Sequence, residues 1–361
     1  MAKRAACSGA PILLTLVLTV CTSWAGTAAG SVACVGDCDG DDHVTIDEII
    51  TGVDIALDNP HASSCDSFTG SGQAPEVAII TAVDEALTGC PDGAVGTISG
   101  TAVKGPVANA TVTAWEIGSN GMPGAQIGSA STGAAGNFTM QMGNYAGPVM
   151  LQMTGGTFPD EATGTHMGMG TDMMTAVIPN MIAGATLSGI QMTALTSMAQ
   201  RMAQDMSGGM TPANITQSNA NIGMYFDVSD ILSVHPMDPT VNGSGAPATQ
   251  AQRNYGMTLA AMSEYAHNPV GMPSASGMVA AMMTDASDGV MNGMMGGTPI
   301  NMTGMGGMMG GMMMMQPDAG TSGLASAMTS FMQSAHNKSG LTPQDMQILI
   351  NKLATSNGVI Q

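Results

Sequence analysis

Asp37-Cys-Asp-Gly-Asp-Asp-His-Val-Thr-Ile-Asp-Glu48 sets the reading of this chain. Calcium takes six to eight oxygen ligands, and a twelve-residue loop can wrap them around one ion. Asp37, Asp39 and Asp41 stand at loop positions 1, 3 and 5, and Glu48 stands at position 12 with two oxygens to give. His43 at position 7 offers its backbone carbonyl, Thr45 at position 9 acts through a water, and Val44 at position 8 packs the loop. Position 6 is Asp42 in place of the usual glycine, and Asp tolerates the required positive φ better than most residues. A solvated acidic turn would not need so many spaced matches, so we expect one calcium site.

Glu48-Ile-Ile-Thr-Gly-Val-Asp-Ile-Ala-Leu57 aligns without gaps on Ala78-Ile-Ile-Thr-Ala-Val-Asp-Glu-Ala-Leu87. Both copies carry apolar residues at helical spacing. The loop preceding the second copy holds Ser67, Thr69, Ser71 and Ala78 at the acidic positions, so it is expected not to bind calcium. This pair of loop–helix repeats, over residues 34–90, resembles the dockerin family on Gly36-Asp37, the 1-3-5-12 acidic spacing and the repeated helix. The resemblance implies a small EF-hand-like module, calcium binding and docking onto a cohesin-type partner. The second loop and the cysteines depart from the usual dockerin pattern.

The cysteines number 6. Cys34, Cys38, Cys65 and Cys90 cluster in this module, whereas Cys7 and Cys21 fall in the N-terminal leader. An even, clustered set in an exported chain reads as two disulfides, with three connectivities open. The leader itself has a basic start at Lys3 and Arg4, an apolar run from Pro11 to Val20, and small residues at Ser23 and Ala25. That order predicts a signal peptide over residues 1–25 and a secreted or cell-surface product.

Composition narrows the function classes. Of 361 residues only 9% are charged, with 7 basic against 26 acidic, for a net charge of −19. Such a surface repels nucleic acid and anionic lipid. Aromatic residues are 3% of the chain, too few for a base- or sugar-stacking platform. No later run reaches membrane-spanning length without Gly or polar breaks.

From Ala94 to Thr157 the pattern changes to period two: Gly96–Val103, Ala108–Trp115, Asn137–Met142 and Pro148–Met153 alternate between turns rich in Gly, Pro and Asn. These short strands predict an antiparallel β-sandwich over 94–157. GPVANATVTAW and GSASTGAAGNFTM resemble the carboxypeptidase-regulatory-like family of transthyretin-type sandwiches, which implies a structural or binding module. Thr157–Gly164 reads as a linker. Helical spacing then predicts an α-helical region over 188–361, with helices over Thr193–Met206, Pro212–Met224, Thr249–Ala266, Ser274–Met291, Gly323–Ala335 and Thr342–Leu353. The order of parts resembles that of a broad group of secreted bacterial proteins. The expected architecture is therefore multidomain α+β.

Methionine is abundant, at 38 residues. Within helices such as Met278-Val-Ala-Ala-Met-Met283 it reads as adaptable core filler. The Gly-broken run over residues 291–315, and the smaller cluster His166, Met167, Met169, Met173 and Met174, offer soft thioether ligands suited to Cu(I) or Ag(I). No Ser-His-Asp order, phosphate loop or catalytic carboxylate pair stands out. The sequence thus leads to a non-catalytic, exported, calcium-binding modular protein with a binding or adhesion role toward an extracellular partner. A soft-metal protein using the Met-rich loop is the alternative.

Overall fold

The computed structural model describes residues 34–361 except 40, 42, 58, 60–63, 70–74, 90–94, 269, 273–274, 303–313 and 361. The expected signal peptide, Asp42, Cys90 and the centre of the Met-rich loop lie outside the described residues. The architecture is mixed α+β and divides into two units, residues 1–91 and 92–361.

In the first unit, α1 (Ile46–Ala56), α2 (Asp66–Thr69) and α3 (Pro75–Thr88) surround a small core of Cys65, Phe68, Ala78 and Ala82. Thr45 starts α1 with a capping box: its hydroxyl accepts from the Glu48 amide, and the Glu48 carboxylate accepts from the Thr45 amide. The repeats pack reciprocally. Gly36, at the entry of the first loop, lies against Ala82 of α3, whereas Gly52 of α1 lies under the ring of Phe68 ahead of α3. Cys38 is bonded to Cys65, with Cα atoms 5.0 Å apart, and Cys34 is also disulfide-bonded.

The second unit begins with strands. β1 (Thr97–Ala102), β2 (Thr111–Ile117), β3 (Pro123–Ser131), β4 (Asn137–Gln141) and β5 (Gly147–Thr154) are followed by a short hairpin, β6 (Thr157–Pro159) with β7 (His166–Gly168). β8 (Met173–Met181) and β9 (Thr186–Met192) complete the set. One sheet has the order β4-β1-β9, with β1 antiparallel to β4 and parallel to β9; the other is the antiparallel β3-β2-β5-β8. The strand region is longer than the expected 94–157, since it runs to Met192. The cause is legible in β8, where five consecutive residues from Met174 to Ile178 are buried and no alternation survives.

Helices α4 (Ala194–Asp205), α5 (Pro212–Tyr225), α6 (Gln250–His267) and α7 (Ser276–Ala286) come next. A two-residue ladder of β10 (Met294–Met295) with β11 (Thr298–Pro299) precedes α8 (Ser322–Gln333), and a 3-10 turn at Pro343–Met346 leads into α9 (Gln347–Thr355). Thr193, Thr211 and Thr249 accept amide hydrogen bonds as N-caps, which fixes three of the helix starts. The helices share one core with the strands: Ile98, Leu151 and Met174 belong to the same cluster as Leu195, Tyr255 and Phe331. The helices expected over 188–361 thus pack against the same core as the strands.

Most methionines described here are core. Met169, Met174, Met278 and Met282 are at most 1% exposed, so two of the four methionines in the His166–Met174 cluster are packed inside. At the edges of the 291–315 run, Met291, Met302 and Met315 are buried as well. Ordering a buried Met costs more rotamer entropy than ordering a Leu, by about 1 kcal/mol, and its reach lets it fill irregular gaps.

Candidate metal centre

The first loop brings three of its acidic groups together. Carboxylate oxygens of Asp37, Asp39 and Glu48 all lie within 4.8 Å of one another. The backbone curls around them: the Asp41 amide points at Asp37 Oδ1 and Asp39 Oδ1, both at 3.2 Å. The Asp41 carboxylate stands outside the three-residue group and accepts from the His43 amide at 2.9 Å.

Glu48 carries two tasks. Its Oε1 accepts from the Cys38 amide at 2.8 Å, and its Oε2 accepts from the Thr45 amide and hydroxyl at 2.7 and 2.8 Å. Burial pushes the Glu48 carboxyl up, but these amide and hydroxyl donors together outweigh it and hold it below the usual carboxylate range. Asp39 moves the other way. Desolvation raises its carboxyl, and the charges of Asp41, Glu48 and Asp37 add to that against one opposing bond from the Asp41 amide. A bound cation would relieve the part of this rise that comes from the surrounding carboxylates.

The residues fit a hard cation. Asp37, Asp39 and Glu48 would hold it directly, and all are oxygen donors of the kind that suits calcium. When bound, calcium would neutralise the mutual repulsion of the loop. In the second repeat Ala78 occupies the position equivalent to Glu48 and is fully buried in the core, so no acidic ligand stands there.

The helices next to this loop present a repeated surface. Ile50 and Val53 on α1 and Leu57 at its C-cap are exposed, and so are their counterparts Ile80, Val83 and Leu87 on α3. Leu57 and Leu87 are 73% and 81% exposed, values that a packed helix does not leave on its apolar stripe. Asp47, Glu76 and Asp84 stand exposed on the same two helices, and no lysine or arginine occurs between Cys34 and Cys90.

Sequence reasoning missed a polar seam in the second unit. Lys104, just after β1, is fully buried and pairs with Glu161 Oε2 at 3.1 Å. Its ammonium also donates to Ser263 Oγ of α6 and sits 5.4 Å from the centre of the Phe158 ring. Ser263 donates in turn to Glu161 Oε2 at 2.6 Å, and the Gly105 amide donates to Glu161 Oε1 at 2.7 Å. Gly105 has φ +60, and a Cβ there would fall 2.1 Å from the Pro159 carbonyl, so only glycine lets the chain approach this closely. One turn further along α6, His267 Nε2 lies 3.2 Å from Asp160 Oδ1. The expected linker is thus a docking segment: Asp160 and Glu161 are both buried against α6. The available signal was a lysine within an alternating apolar run of a chain that is poor in cations.

No protein-family model and no curated protein matches the chain. A solved structure that matches in part is a 9R-lipoxygenase from Cyanothece, at 14% identity over 40% of this chain and 23% of that one, with a TM-score of 0.19. The matched structure is an enzyme, and the expectation of a non-catalytic chain is set aside without any activity being assigned. A likeness this low carries no argument about fold, substrate or reaction. Among the described residues no helix is long and apolar enough to cross a membrane.

Proposed function

We propose that this is an exported calcium-binding modular protein whose first unit is a dockerin-like module that engages an extracellular protein partner. The observation that carries the reading is the convergence of Asp37, Asp39 and Glu48 in a loop with the spacing of a calcium site. One ion binds there, and none at the second repeat, where Ala78 replaces the acidic ligand. Export rests on the basic, apolar and small-residue order of the first 25 residues.

The partner surface is the stripe of Ile50, Val53 and Leu57 with Ile80, Val83 and Leu87. Its acidic surroundings select a partner with an apolar patch and a basic rim. Calcium acts at the base of α1, because Glu48 both caps that helix and reaches the ion. The two sheets of the second unit serve as a transthyretin-type sandwich that carries the module.

Replacing Asp39 by Asn separates the ion's role from the fold's. The change removes a charge that the loop repels and leaves the Glu48 cap intact. Calorimetry should show calcium affinity falling by about tenfold or more, while calcium-free stability stays level or rises slightly. Unchanged affinity would refute the site.

A further inference from the structure

A cavity of about 210 Å³ lies beside the Lys104–Glu161 pair, between the end of β1, the segment 235–239 and α6. Val103, Met237 and Leu259 supply apolar walls, and Glu161, His235 and Asp238 are its ionisable residues. These three groups are not equivalent. The Glu161 carboxylate is saturated by Lys104, Ser263 and the Gly105 amide, so the floor is rigid and electrically balanced. His235 is exposed and its Nδ1 lies 3.2 Å from Gln191 Oε1.

Asp238 differs. Its Oδ1 accepts from the Thr240 amide and hydroxyl at 2.8 and 2.6 Å, which fixes the side chain. Among the described residues it makes no ion pair. Lys338, whose amide binds the Pro239 carbonyl, is near in the fold but does not pair with it. An apolar chamber therefore has one fixed, uncompensated negative charge in its lining.

We propose that this cavity is a binding site for a small organic cation, with an apolar body the size of one ring and a single ammonium group. The volume sets the size: benzene fills an engineered cavity of about 150 Å³, so the remaining room takes about one aminomethyl group. The charge sets the sign. Lys104 is turned to Glu161 and Ser263 and offers nothing to an anion, whereas Asp238 has a charge to share. The net charge of −19 concentrates cations around the whole chain. This inference does not rest on the calcium reading, since the two sites lie in different units.

Benzylamine and the neutral benzyl alcohol, titrated into the full chain by calorimetry, test it. Benzylamine should bind at one site and roughly tenfold tighter than the alcohol, the order expected for one charge-assisted contact. Asp238→Asn, which keeps the acceptor for Thr240, should bring the two probes together. Ala135→Trp, at an exposed position of the lining, should weaken both by filling the chamber. Unchanged melting of both variants would show that the fold is intact. No saturable binding, equal binding of the two probes, or benzylamine binding indifferent to both substitutions would each overturn the proposal.

Discussion

Gly36 and Ala82 are in contact across the two repeats of the first unit, so closely that a Cβ on Gly36 would fall 2.6 Å from the Ala82 Cβ. Gly36 also has φ +103, a conformation that side chains other than glycine rarely adopt. Gly36→Ala is therefore expected to destabilise the unit by about 2–4 kcal/mol, through overpacking and backbone strain together. Amide hydrogen exchange on α1 and α3 reads this directly: protection should fall in both helices, and retained protection would show that the repeats do not depend on this contact.

The sequence made some of these relationships visible and hid others. The helix expected over Pro212–Met224 is found over Pro212–Tyr225, and that over Thr249–Ala266 over Gln250–His267, because threonine caps and helical spacing are local signals. β3 was invisible because PGAQIGSAS lacks the β-branched alternation of a strand, and its pairing with β2 supplies the order instead. The acidic spacing of the loop was legible, since its ligands lie within twelve residues. That one Glu48 oxygen would go to Thr45 was implicit in Thr45-x-x-Glu48 as a capping signature, whereas the bond of its other oxygen to the Cys38 amide was not. The Lys104 seam was not legible: its partners Glu161 and Ser263 lie 57 and 159 residues away.

Lys104→Met should cost about 3–5 kcal/mol, because it leaves the Glu161 carboxylate buried without its counter-charge. Adding Glu161→Gln should recover much of that loss, since the amide is neutral and still accepts from Gly105. Denaturant unfolding followed by Trp115 fluorescence measures both. A single variant as stable as the parent would mean that Glu161 is not charged in the fold.

Asp285 gives the second unit a pH dependence. Burial pushes its carboxyl up to about 6, against the amides of Asn292, Gly293 and Met294 that lower it. A carboxyl raised in the fold binds protons that the unfolded chain has released, so its contribution is present below about pH 4 and is lost as pH rises through about 6. The loss amounts to about 3 kcal/mol at most. Asp285→Asn, which keeps an acceptor for the Asn292 and Gly293 amides, should flatten stability between pH 4 and pH 7 by about that amount. An unchanged pH profile would contradict it.

The first loop is proposed to hold one calcium. Calorimetric titration of the metal-free chain with calcium tests it most directly. We expect one binding event per chain, abolished or strongly weakened in Glu48→Gln and Asp39→Asn, and progressively lost as acid protonates Asp39. Two equivalent sites, no binding, or a single site indifferent to both substitutions would contradict it.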